Sequence, residues 1–203
     1  MMKRLATLVL ALFVFQTGIV FAENPAFKDV DRDGLDDNTE QELLVRFVPS
    51  LMIDSRECNG KPAEFLPGDD QPEVIAQNGT IYGQVFPIVK ASSPTIEIHY
   101  YHLWSRDCGR LGHALDPEHV SVRVHADRMD APADEWRAQY WYAAAHEGTL
   151  CAASSGALAS ALHAEEHGAA IWVSKGKHGS FLSPARCRLG CGGDSCEYAG
   201  IPM

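Results

Sequence analysis

His119-Val120-Ser121-Val122-Arg123-Val124 puts Val120, Val122 and Val124 on one side of an extended chain and polar residues on the other. A period of two is the pattern of a β-strand with one buried face, because successive side chains point to opposite faces. The same alternation runs through Ile81-Tyr82-Gly83-Gln84-Val85-Phe86 and Thr95-Ile96-Glu97-Ile98-His99-Tyr100, and strand-forming residues recur in Trp136 to Ala145 and Ala169 to Ser174. Strands at intervals, punctuated by turn residues and with little helix between them, predict a mainly β chain folded as a single β-sandwich domain, not a parallel α/β sheet. Asn38 to Ile53 carries Leu43, Leu44, Phe47, Val48 and Leu51 at three- and four-residue steps, which predicts a helix that Pro49 stops or kinks. Asp54 to Asn78 is rich in Pro, Gly and Asp and reads as a loop, and Ser155 to Ala164 reads as a short helix or a long loop.

The chain has 203 residues, of which 46% are apolar and 22% charged. That is enough for one domain with a real core and excludes wholesale disorder. Three parts are expected: a signal peptide over residues 1–22, a calcium loop and helix over 23–53, and a sandwich domain with a Cys-rich tail over 54–203. The leader follows from the positive start Met1 to Arg4, the apolar run Leu5 to Phe21 and the small-residue cleavage site Val20-Phe21-Ala22. A formal net charge of −10 makes nucleic acid an improbable partner and does not favour anionic membrane surfaces, although surface contact with a membrane stays open; it does suit a cation. All six cysteines (Cys58, Cys108, Cys151, Cys187, Cys191, Cys196) follow the leader. In an oxidising, extracellular or periplasmic compartment they read as three disulfides of unresolved connectivity, against a zinc knuckle in the tail whose spacing misses the usual pairs.

Asp29-Val30-Asp31-Arg32-Asp33-Gly34-Leu35-Asp36-Asp37-Asn38-Thr39-Glu40 matches the calcium loop D-x-D-x-D-G-x5-E at every required place. Calcium is a hard cation that takes six to eight oxygens. Asp29, Asp31 and Asp33 supply carboxylates, Gly34 the sharp turn, Leu35 its carbonyl, Asp37 a direct or water-mediated contact, and Glu40 two closing oxygens. With little chain before the loop, and Pro25 in it, this is a half-hand similar to the calcium loops of dockerins and thrombospondin type 3 repeats. A structural clamp is expected, not a sensor.

A second cluster lies in Gly112-His113-Ala114-Leu115-Asp116-Pro117-Glu118-His119-Val120. Asp116 and Glu118 are two apart, so on an extended chain they project to one side, where converging carboxylates call for a proton or a cation between them. With His113, the mixture of O and N donors suits Ca2+, Mg2+ or Mn2+. The segment resembles the heptapeptide G-H-R-H-D-W-E of necrosis- and ethylene-inducing-like proteins, followed in both by a valine-rich strand. Thr95 to Trp104 is similar to that family's aromatic strand, His146-Glu147-Gly148 to its His-Gly step, and Ile171 to Ser180 to a strand-plus-His-Gly segment of related secreted proteins. The resemblance spans roughly residues 80–181. It implies a β-sandwich, a divalent cation on His113, Asp116 and Glu118 with Asp107 as a fourth ligand, and a membrane-active cytolysin; Ala114, Leu115 and Pro117 stand where that family has Arg, His and Trp.

These features predict a secreted calcium-binding protein, a non-catalytic binding or structural module with a second divalent site and an extracellular ligand. The alternatives are a metal-dependent ester or phosphoester hydrolase, with His146 or His178 moving protons, and the cytolysin. His99 and His102 are expected to hydrogen-bond inside the sandwich, and His125, His163 and His167 to lie on the surface. No G-x-S-x-G elbow, H-E-x-x-H helix, P-loop or Rossmann glycine pattern is present.

Overall fold

The computed structural model describes residues 28–202 apart from 67, 69–71 and 198; the expected leader over 1–22 lies outside them. Helix α1 covers Asp37–Phe47. Asp36 caps it, its side chain accepting from the Asn38 N–H at 3.0 Å, with Asp37 and Glu40 in the first turn and Arg46 in the last. Leu43 and Phe47 are fully buried.

The helix is shorter than Asn38 to Ile53, because Ser50–Asp54 is strand β1. Pro49 disfavours helical geometry at Val48. Beyond it Leu51 and Ile53 are buried on alternate positions, and Leu51 fits both periods. The expected loop Asp54 to Asn78 contains a small hairpin, β2 (Glu64–Phe65) and β3 (Val74–Ala76).

The main sheet follows: β4 (Ile81–Pro87), β5 (Thr95–Arg106), β6 (Ala114–His125), β7 (Arg137–Ala143) and β8 (Ser155–Leu158). They are antiparallel and neighbour one another in chain order. Ser155 to Ala164 is therefore this edge strand plus one 3-10 turn over Ala159–Leu162, not a helix or long loop. At Gly156 a Cβ would lie 1.8 Å from the Tyr140 hydroxyl across the sheet, so any larger residue would require that exposed tyrosine ring to swing aside.

A second, mixed sheet contains β9 (Ala170–Val173), β10 (Ser180–Phe181) and β11 (Ala199–Pro202) in the order β10-β9-β1-β11, with β1 parallel to β9. Helix α2 (Pro184–Arg188) lies between β10 and β11 in sequence. Ile96, Ile98, Tyr100, Val120, Val122, Val124 and Trp141 from the main sheet share one buried cluster with Leu51, Ile53, Ile171 and Val173 from the second. Two sheets closed over one core make the arrangement sandwich-like.

The cystines are Cys58–Cys108, Cys151–Cys191 and Cys187–Cys196. With every sulfur paired, the zinc knuckle is excluded. Among the described residues, no helix is long and apolar enough to cross a membrane.

Candidate functional site

The N-terminal loop folds around its own carboxylates. Asp29 Oδ1 accepts from the Arg32 and Asp33 N–H groups at 2.6 and 3.2 Å, and its Oδ2 from Gly34 at 3.1 Å. Asp33 accepts from Leu35 at 2.9 Å and Asp37 from Val30 at 3.0 Å. Gly34 sits at φ +97°, a left-handed geometry that glycine adopts without strain. One oxygen each from Asp29, Asp31 and Asp33 lie within 4.8 Å of one another. Glu40 is pushed up to about 7 by burial first, then by the charges of Asp33, Asp31, Asp37 and Asp29. Anions crowded in this way are relieved by a proton or by a cation. Leu35, whose carbonyl the motif would use, has its side chain in the shared core at 4% exposure.

The second cluster lies at one end of the main sheet. The β5–β6 connection is closed by the Asp107 N–H donating to the His113 carbonyl at 2.9 Å. Gly112 is obligatory here, because a Cβ would come 2.4 Å from the Asp107 carbonyl. The closure brings one ligand atom each of Asp107, His113 and Asp116 within 4.8 Å of one another. Strand β6 starts at Ala114, so Asp116 and Glu118 are strand residues; both are 8% exposed. Glu118 is not in that tight set, but lines the same cleft of about 550 Å³ with Asp107, His113 and Asp116. It has no hydrogen-bond partner among the described residues. Burial, then the charges of Asp116, Asp194, Asp107 and Glu147, hold its carboxyl well above the usual range.

His178 stands behind this cluster, fully buried, with its backbone at φ +55°. Its Nδ1 is 2.7 Å from Asp116 Oδ2, its Nε2 3.2 Å from Glu57 Oε1, and its ring stacks on Trp104 at 4.0 Å. Burial works against protonation of the ring, but the two carboxylates outweigh it and raise its pKa. Burial likewise opposes the ionised form of Glu57. Bonds from His178 and from the Gly176 and Cys58 N–H groups prevail and lower it. The His178 ring, held between two carboxylates, thus fixes Asp116 from behind. Glu57, Cys58 and His178 also lie close together, but the Cys58 sulfur is in a cystine and is no ligand.

His146 lines the cleft itself. Its Nε2 is 3.0 Å from both oxygens of Asp194, whose side chain is fully buried and also accepts from Ser174 Oγ at 2.8 Å and Lys177 Nζ at 3.1 Å. Burial would raise Asp194, but the bonds from His146, Ser174 and Lys177 hold it below the ordinary range.

The other histidines separate by strand face. His102 is buried, receiving a bond from Trp104 Nε1 at 2.9 Å and meeting Ser180 Oγ at 2.8 Å. His99 is on the opposite face of β5, not inside: it is half-buried and 2.8 Å from His119. His163 and His167 are exposed, and His125 is half-buried against the Arg137 carbonyl.

Glu57, Trp104, Lys177 and Asp194 were not among the residues singled out from the sequence. Only their positions hinted at them: Glu57 adjoins Cys58, and Asp194 lies between two tail cysteines. A scan of family models, a search of curated proteins and a search of solved structures each return no match for this chain.

Proposed function

We propose that this chain is an exported, divalent-cation-dependent binding protein. In this reading the N-terminal half-hand takes calcium as a structural clamp. A second divalent ion, on Asp107, His113, Asp116 and Glu118, presents the cleft to an extracellular ligand. The observation that carries the reading is the gathering of Asp107, His113 and Asp116 at a cleft, with buried, unpartnered Glu118 beside them. Carboxylates with a single imidazole form a hard donor set, suited to Ca2+, Mg2+ or Mn2+. The contact of His178 with Asp116 is the kind of outer support that metal-ligating carboxylates use.

The clamp is supported by the loop's N–H to carboxylate bonds and by Leu35, which ties the loop into the core. Since α1 already packs Leu43 and Phe47 into that core, calcium binding would have no hidden groove to open. Three cystines together with the expected leader support export.

Isothermal titration of the purified protein tests the reading. Two divalent ions should bind, the loop site with a dissociation constant on the order of 10⁻⁴ to 10⁻³ M. Glu40→Ala should remove one, together with the calcium-dependent rise in melting temperature. Asp116→Asn or His113→Ala should remove the other. Absence of any ion binding at millimolar concentration would refute it.

A further inference from the structure

We propose that the cleft hydrolyses phosphate esters, with His146 as the base that takes the proton of the attacking water and Asp194 as the residue that positions it. This rests on the divalent site at Asp107, His113, Asp116 and Glu118.

Three histidines besides His113 adjoin that site, and only one is held by a carboxylate with a nitrogen to spare. His119 lines the cleft, but its Nε2 is paired with His99 Nδ1 and no carboxylate is bonded to its ring among the described residues. His178 is fully buried and both its nitrogens are engaged, by Asp116 and Glu57. His146 uses Nε2 on Asp194, and its Nδ1 has no partner among the described residues while the side chain lines the cleft. A buried carboxylate on one nitrogen fixes the imidazole's orientation and tautomer, leaving the lone pair on the other nitrogen free to accept a proton. Asp194 is itself held by Ser174 and Lys177. The turn carrying His146 is fixed by the Thr149 N–H and hydroxyl on the His146 carbonyl at 3.2 and 2.7 Å. The Cys151–Cys191 cystine joins that turn to the segment bearing Asp194. This is more support than a solvated surface histidine needs.

The substrate class follows from charge. Asp107, Asp116, Glu118 and Glu147 line the cleft, so by themselves they would repel an anion. Arg110 also lines it, exposed and with no ion pair among the described residues. A divalent ion on the carboxylates would neutralise them and supply charge to the phosphoryl oxygens, leaving Arg110 to bind another oxygen of the same group. A neutral carboxylic ester has no use for the arginine.

In the step itself, the water oxygen attacks phosphorus and its proton passes to His146 Nδ1. The bond from phosphorus to the leaving oxygen breaks, and that alkoxide takes a proton from solvent at the cleft mouth. The products are an alcohol and a phosphate ester or inorganic phosphate, with no change of oxidation state.

The test uses the full mature chain with bis(4-nitrophenyl) phosphate, 4-nitrophenyl phosphate and 4-nitrophenyl acetate, with Mg2+, Mn2+ or Ca2+ or with chelator. Phosphate-ester turnover that requires the ion is expected. His146→Asn, which tolerates the left-handed backbone at φ +54°, should lower kcat/KM by about 10²- to 10⁴-fold at unchanged melting temperature and ion affinity. A second readout needs no turnover. By imidazole ¹⁵N NMR of the ion-free protein, Asp194→Asn should redistribute the His146 tautomers, because the amide no longer requires a proton on Nε2.

Ion binding without phosphate-ester turnover overturns the proposal and leaves the cation site standing; failure to bind the ion overturns both. Turnover of the acetate alone overturns the substrate class. Wild-type kcat/KM in His146→Asn overturns the base, and an unchanged tautomer distribution in Asp194→Asn overturns its positioning role.

Discussion

His102 commits both ring nitrogens to the interior, one accepting from Trp104 and the other donating to Ser180. Burial, then the charges on His178 and His119, push it down to about 3. An unfolded histidine titrates near 6.5. Between those values the folded state holds fewer protons than the unfolded one, so stability is lost as pH falls through 6.5 towards 3. His102→Gln keeps a donor and an acceptor but cannot titrate. The wild type should therefore lose about 2 kcal/mol more than this variant between pH 7 and pH 5. Urea unfolding at the two pH values, with calcium saturating, measures the difference; equal losses would mean that His102 takes up its proton in the fold as readily as in the unfolded chain. The residue also shows what one letter conceals. His99 and His102 lie on the same strand three positions apart, and an odd spacing on a pleated chain sends one outward and one inward.

At the scale of elements, α1 meets the rest of the molecule at two close approaches. Gly83 on β4 lies under Leu44, where an added Cβ would stand 2.3 Å from a methyl of that side chain. Gly168, just before β9, lies against the end of the helix, and a Cβ there would stand 1.7 Å from the Val48 carbonyl oxygen. A leucine can change rotamer, whereas a backbone carbonyl moves only with its chain. Gly83→Ala should cost about 1–3 kcal/mol and Gly168→Ala clearly more. Chemical denaturation of both variants checks the order, and equal losses would show that the helix end yields as easily as a side chain. The main strands were legible because alternation and burial coincide along β5 and β6. The end of α1 was not, since Leu51 satisfies helical and extended periods alike. The Asp29 to Glu40 motif and the trio Asp107, His113 and Asp116 could be read because their members sit on short spans of chain. Asp194 and Glu57 could not, because they reach His146 and His178 across 48 and 121 residues.

Across the whole molecule, those distant partners are delivered by the cystines, whose pairing no spacing rule resolves. Cys58–Cys108 couples the two loops that carry Glu57 and Asp107, the residues immediately before each cysteine. Cys187–Cys196 instead joins α2 to the segment following Asp194. Chain entropy makes the cross-link of separation 50 worth about 4 kcal/mol and that of separation 9 about 2.5 kcal/mol. The paired substitution Cys58→Ser with Cys108→Ser should therefore cause the larger fall in stability. It should also weaken divalent binding at Asp107 and Asp116, because the Asp107 turn loses its tether and His178 loses the fixed Glu57 that holds it against Asp116. The paired substitution Cys187→Ser with Cys196→Ser should lower stability by the smaller amount and leave ion affinity at that site near wild type, since none of Asp107, His113, Asp116 or Glu118 depends on the tail. Urea unfolding and ion titration of the two variants separate the effects. If both lose ion affinity equally, the tail supports the cation site directly, and the division of work between the two cystines fails.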